Sequence, residues 1–230
     1  MIPELFGQAQ VVERGQLDRI AYGSRRLFGP GWALLGDAAF ATDPLYSPGL
    51  DYAVDQADQI AALIRRGGDS EAMEAYEAWQ QQRYIVGTLL VLGQYPGLGD
   101  FDLFRVRQVL DQGAYLNLLS VWCNREHLDP SWIRRFLRFA KRGREDFARL
   151  GRRFAALAAE RTARHNQGCW DLALPSPALQ ARFGQPRRLP QRLRYHQRLV
   201  AAVDNILDDL PARGPGEGPF VRPFFDTLPV

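Results

Sequence analysis

The 230 residues are 46% hydrophobic and 24% charged, with a net charge of +3, a composition ordinary for a soluble globular protein with one sizeable core or two unequal units. The most apolar stretch, Ile85–Gly93, is far shorter than the roughly 20 residues a bilayer-spanning helix needs, which excludes an integral membrane segment. Cys123 and Cys169 stand apart without metal-ligand spacing, and no signal pattern opens the chain, so a cytoplasmic location is expected.

The first thirty residues read as weak extended structure, with short apolar runs at Ala9–Glu13 and Ile20–Tyr22. Trp32–Gly36 is an apolar run bounded by glycines, the pattern of a buried strand. From there the pattern turns helical. Ala53, Val54, Ala57, Ile60, Ala61 and Ile64 recur at helical spacing and predict an inward apolar face, with Asp51, Asp55 and Asp58 pointing elsewhere. Gly67-Gly68 ends that helix.

Asp69 or Ser70 caps a second helix running through Met73, Tyr76 and Tyr84 toward Leu92, stopped by Pro96-Gly97. A third covers about 101–124. Asp129-Pro130 is a strong start signal for a fourth, continuous or broken near Gly143. Pro175, Pro177 and Pro186 mark a loop-rich passage, a last helix spans about 190–209, and a proline- and glycine-rich tail follows.

The chemistry-bearing segment is WALLGDAAFATDPLYSPGLDYA, from Trp32 to Ala53. A carboxylate, Asp37, stands at a strand end, and a helix opens at Ser47-Pro48-Gly49 only about a dozen residues later. Glycines at 36 and 49 let another group approach the backbone closely. A helix N-terminus offers unpaired N–H donors and a partial positive charge, so it suits an anionic ligand group.

These residues resemble the second flavin motif of FAD-dependent hydroxylases, geranylgeranyl-reductase-like enzymes and flavin-dependent halogenases: Gly36-Asp37-Ala38-Ala39, Asp43-Pro44 and Gly49-Leu50. The resemblance implies FAD as cofactor. Gly36, Asp37, Asp43, Pro44, Gly49 and Leu50 would form its cradle, Asp37 accepting from the ribityl chain and the Gly49–Leu50 amides facing the N1–C2=O edge of the ring. Tyr46 and Ser47 are the candidates for facing substrate, with helix capping as the simpler role for Ser47. Halogenase-like members carry a glutamate where Tyr46 stands and use an amide where Pro48 has none, so a monooxygenase or reductase reading is preferred to a halogenase-like one.

The superfamily's first motif, GxGxxG, which grips the ADP part of FAD, has no match in the sequence. The expected fold is therefore mainly α: residues 1–68 as the C-terminal strand remnant of an FAD-binding α/β domain, residues 69–210 as a helical domain, and residues 211–230 as an extended tail. The expected function is that of a fragment or subunit completed by a separately encoded FAD-binding half and acting on a small-molecule or carrier-bound substrate. A non-catalytic helical protein derived from such an enzyme is the alternative.

Other features point to ordinary structure. Lys141 is the single lysine, so 28 of the 29 basic residues are arginine, as arginine-rich codon usage would give. The arginines from Arg134 to Arg153 are interrupted by Glu145 and Asp146 and read as a solvated helix face, with no nucleic-acid partner. His127, His165 and His196 are scattered and are expected at the surface or in caps, with no metal site. Trp122, Trp132 and Trp170 read as core.

Overall fold

A computed structural model describes residues 21–160 and 189–210. The expected extended N-terminal segment up to residue 20, the proline-marked passage, the tail, His165, Cys169 and Trp170 lie outside the described residues. The described chain is mainly helical, with four two-residue strands. β1 (Tyr22–Gly23) pairs antiparallel with β4 (Phe40–Ala41), and β2 (Phe28–Gly29) with β3 (Trp32–Ala33).

Five α-helices follow among the described residues: α1 (Gly49–Arg65), α2 (Ser70–Leu92), α3 (Phe101–Cys123), α4 (Pro130–Glu160) and α5 (Leu189–Asp209). Their starts show why these segments are helical. Asp69 accepts from the Glu71 N–H at 3.0 Å, and Asp100 accepts from Asp102 and Leu103, so each carboxylate satisfies donors that the first turn leaves open. Asp129 takes the Ser131 N–H at 2.9 Å, with Pro130 at the first helical position, where its missing N–H costs nothing. Gly67 and Gly68, at φ 69° and 78°, close α1, and the Gly68 N–H reaches back to the Leu63 carbonyl at 3.0 Å. α4 is one unbroken helix; Gly143 lies inside it, beside the ring of His196.

Two cores hold the helices. One gathers Phe28 and Phe40 from the strands, Tyr52 from α1, Tyr76 and Trp79 from α2, Val121 from α3, and Trp132 and Ile133 from α4. The other joins Leu103, Val106 and Leu110 of α3 with Phe147, Leu150 and Phe154 of α4 and Leu199 and Val203 of α5. α3 and α4 therefore contribute to both. The α2–α4 pairing is the most extensive, and its aromatic end stacks Trp132 on Phe136 at 5.2 Å with Trp79 set edgewise against both. A fork of hydrogen bonds from Arg149 to Asp204, at 2.8 and 2.7 Å, fixes α5 on α4.

Two expectations are corrected. The run Trp32–Gly36 is no buried strand: only Trp32–Ala33 is extended and paired, and Trp32 and Leu35 are 48% and 46% exposed. The two-residue hairpin offers no second sheet layer to cover those side chains. α1 is rolled the other way from its apolar pattern. It buries Tyr52, Asp55, Gln56, Gln59, Ala62 and Leu63, and it exposes Leu50, Val54, Ala57 and Ile64.

A polar cluster sets that roll. Asp55, 2% exposed, pairs with the equally buried Arg83 and accepts from Trp79 Nε1 at 3.0 Å, Gln80 Nε2 at 2.7 Å and Trp122 Nε1 at 2.9 Å. The Arg83 guanidinium also lies over the rings of Tyr52 and Trp122, at 4.5 and 4.7 Å. Rolling α1 to bury its apolar stripe would strip the Asp55 carboxylate of these partners, at a cost of several kcal/mol.

Candidate functional site

Gly36 is the hinge of the site. Its φ of 57° lies in the left-handed region, where a side chain is strained, and it opens the turn Gly36–Ala38. The Gly36 N–H donates to Gln56 Oε1 at 2.6 Å, and a Cβ on Gly36 would lie 3.7 Å from the Cβ of Ala53. The turn is thereby laid along the opening turns of α1. Asp37 follows and is exposed; its carbonyl accepts from the Tyr22 hydroxyl, and its carboxylate has no hydrogen-bond or ion-pair partner among the described residues.

The opening of α1 is bare. Pro48 occupies the N-cap position and supplies no side-chain cap, so the first N–H groups of the helix, at Gly49 and Leu50, point out uncapped. Gly49 is exposed with open space where a Cβ would stand, and Leu50 is 76% exposed. Ser47 is not the helix cap expected for it. It sits at φ 51°, ψ 41°, closing the preceding turn Pro44–Tyr46 with its N–H on the Pro44 carbonyl. Because that left-handed residue redirects the chain, Pro48 lies one position before the first helical residue.

The remaining candidates are bound into the helical body. One Asp43 oxygen accepts from the Leu45 N–H at 3.0 Å and the other from the Tyr95 hydroxyl at 2.6 Å, while Pro44 begins the turn. Tyr46 donates to Asp111 Oδ2 at 2.7 Å and accepts from Gln108 Nε2 at 3.0 Å and from the Gln94 amide. Burial, then the Asp111 carboxylate, pushes the Tyr46 phenol far above its ordinary range, so it stays protonated and donating. Asp111 is held in turn by Arg107 Nε at 3.0 Å, and burial raises its own pKa against the pull of that guanidinium. Arg107 fits because Gly93 ends α2 without a side chain; a Cβ there would collide with its guanidinium. Tyr115 adds a further tie, donating to Asp51 at 3.2 Å.

The structure thus lays the Gly36–Ala38 turn along α1, leaves Asp37, Gly49 and Leu50 exposed, and ties Asp43 and Tyr46 to the α2–α3 connection and α3. Asp111, Arg107 and Gln94 were not found from sequence. Their only signal is the Arg107–Asp111 spacing of four on one helix, common on solvated faces. His127 was also misplaced. It is 2% exposed instead of lying at the surface, with Nε2 3.5 Å from Asp55 and 3.7 Å from Asp58, because the inward polar face of α1 draws it in. His196 pairs with Asp146 at 3.0 Å. Among the described residues no group of three or more His, Cys, Asp or Glu side chains could hold a metal ion, and no helix is long and apolar enough to cross a membrane.

Comparison with known proteins finds one informative similarity. A stretch of 59 residues, 26% of this chain, is 36% identical to a menaquinone reductase of Mycolicibacterium smegmatis. The matched stretch is only 14% of that relative. No family model and no solved structure matches the chain. The similarity supports an oxidoreductase-like origin for the matched stretch.

Proposed function

We propose that this chain is the part of an FAD-dependent oxidoreductase that meets the ring and ribityl chain of the cofactor, acting when a dinucleotide-binding half completes it. The observation that supports the reading is the Gly36–Gln56 tie, which holds the turn carrying the unpartnered Asp37 carboxylate against α1, the helix whose tip is uncapped. The two groups complement what a flavin presents: Asp37 is an acceptor free for ribityl hydroxyls, and the Gly49 and Leu50 amides are donors for the electron-rich N1–C2=O edge. The open space over Gly49 admits a flat ring to the backbone.

FAD supplies the electron transfer when bound. The residues of this chain orient it and, through the fixed donors of the α1 tip, favour negative charge developing at the ring edge without reorganising. Tyr46, protonated and pinned by Asp111, holds the loop that aims the tip. The similarity to a menaquinone reductase favours reduction of a substrate over its hydroxylation or halogenation.

Riboflavin, which has the ring and ribityl chain without ADP, tests this directly. In amide NMR of the full chain, riboflavin should shift the Gly36, Asp37, Gly49 and Leu50 signals. Asp37→Ala should weaken binding about tenfold, the loss of one strong hydrogen bond to an ionised group. A titration that leaves those four amides unmoved rejects the site.

The alternative, a non-catalytic helical protein, has its own observation: Asp43 and Tyr46 are fully engaged in structural hydrogen bonds. Cooperative unfolding of the purified chain together with no riboflavin binding would favour it.

A further inference from the structure

The cluster around Asp55 leaves polar atoms over. Gln80 and Arg83, both buried, each bind the carboxylate with one end, through Nε2 and Nη1. Gln80 Oε1 and Arg83 Nε are buried without a hydrogen-bond partner, as are both ring nitrogens of His127. Turning the Gln80 amide over would not help. Its Nε2 also donates to Gln59 Oε1 at 2.8 Å, so a flip would set oxygen against two oxygens. Gln59 is engaged as well, with Nε2 on the His127 carbonyl at 2.8 Å. His127 Nε2 stands 3.5 Å from Asp55 and 3.7 Å from Asp58, beyond the usual N–H···O range of about 2.7–3.2 Å. These orphaned atoms belong to three residues that meet one carboxylate, more than a folded interior leaves unmet at one place.

The orphans are of both kinds. Arg83 Nε only donates, Gln80 Oε1 only accepts, and a neutral His127 ring does one with each nitrogen. An anion there would face the Asp55 carboxylate and Gln80 Oε1, and a cation would face the Arg83 guanidinium. A small uncharged molecule that both donates and accepts meets the whole set, and water is the smallest. We infer that the Asp55 cluster holds internal water against His127, Gln80 and Arg83, and that Asp58 joins this site to bulk solvent as a path for protons. The charged groups facing His127 are Asp55 and Asp58 of α1, Arg83 of α2 and Arg125 at the head of its own turn. Of the two carboxylates, Asp55 is shut in and Asp58 is 46% exposed, so protons enter at Asp58. Asp58 carries a proton from solvent to one ring nitrogen, and the water takes the proton from the other. The ring ends neutral, and the return steps restore both carriers. His127, though 2% exposed, thus exchanges its proton without the helices opening. No residue of the Gly36–Leu50 segment takes part, so the site stands apart from the flavin reading.

A high-resolution crystal structure and histidine NMR of the full chain test the water and the path. Density for water should stand within about 3.2 Å of a His127 nitrogen and of Gln80 Oε1 or Arg83 Nε. A bromide soak should give no anomalous peak there. The His127 ring N–H, identified by its loss in His127→Gln, should show magnetisation transfer from water far faster than the most protected backbone amides exchange. Asp58→Asn keeps the shape and takes away the proton carrier. It should slow that exchange about tenfold or more, while the water and the thermal unfolding midpoint stay as they are. Glu74→Gln, at an exposed position on α2, should change nothing. A side chain from residues 1–20, 161–188 or 211–230 on the orphaned atoms, an ion in place of water, or atoms closed together without water overturns the site. A ring proton as slow as the amides that wait for global unfolding, or one equally fast in Asp58→Asn, overturns the path.

Discussion

Tyr46 and Asp111, 65 residues apart, share a hydrogen bond of 2.7 Å that joins the loop before α1 to the middle of α3. The same carboxylate is held by Arg107 and Gln94, so the loop that aims the helix tip is anchored to a buried network rather than left to its own conformation. Tyr46→Phe removes the hydroxyl and leaves a buried oxygen short of a donor. The expected loss is about 1–2 kcal/mol in denaturant unfolding, with weaker riboflavin binding because the tip is less well fixed. Unchanged stability would show that the bond does not form in solution.

Arg83 and Asp55 form the pair that sets the roll of α1. Arg83→Leu leaves the carboxylate buried without its counter-charge and should cost about 3–5 kcal/mol. Adding Asp55→Asn removes the orphaned charge and should restore part of that loss. Chemical denaturation of both variants reads the difference, and equal stability of the single and double variants would deny the coupling.

His127 carries a pH dependence of known sign. Burial lowers its pKa against the opposing pull of Asp55 and Asp58, so the folded chain favours the neutral ring. The unfolded chain, near the ordinary value of about 6.5, takes up the proton first. Stability should therefore be flat above about pH 7 and fall as pH drops through the unfolded value toward the folded one. In thermal melts His127→Gln should lack this slope.

Asp204 acts lower on the scale and with the carboxylate's sign. The hydrogen bond from Arg149, more than any other influence, lowers its pKa below the ordinary range. Its stabilisation is fully present above about pH 4, the unfolded value, and is lost as pH falls through the folded value. Acid titration should release α5 from α4 earlier in Asp204→Asn than in the parent chain. Coincident acid transitions would contradict the pairing.

Sequence was a good guide where the determining contacts are local. The caps at Asp69 and Asp129 and the glycine stop at 67–68 rest on residues within a turn of one another, and each stands where the pattern puts it, whereas the start of α1 falls at Gly49, with Ser47 and Pro48 left outside the helix. The roll of α1 was not legible. Its apolar stripe says one face is inside, but the partners that draw Asp55 inward lie 24 to 67 residues further along the chain. The strand at Trp32 fails for a related reason: an apolar run signals burial only if some other layer covers it. In the candidate site, Gly36, Asp37 and Gly49 were readable as a spacing, whereas Asp111, which steadies the loop behind them, has no local mark at all.

The undivided course of α4 has a consequence for how this protein comes apart. One end of the rod carries Trp132 and Ile133 into the aromatic core, and the other carries Phe147, Leu150 and Phe154 into the aliphatic one. Fraying either cluster loosens the scaffold of its neighbour, so heat should find one event instead of two, with tryptophan emission and helical circular dichroism fading over the same few degrees.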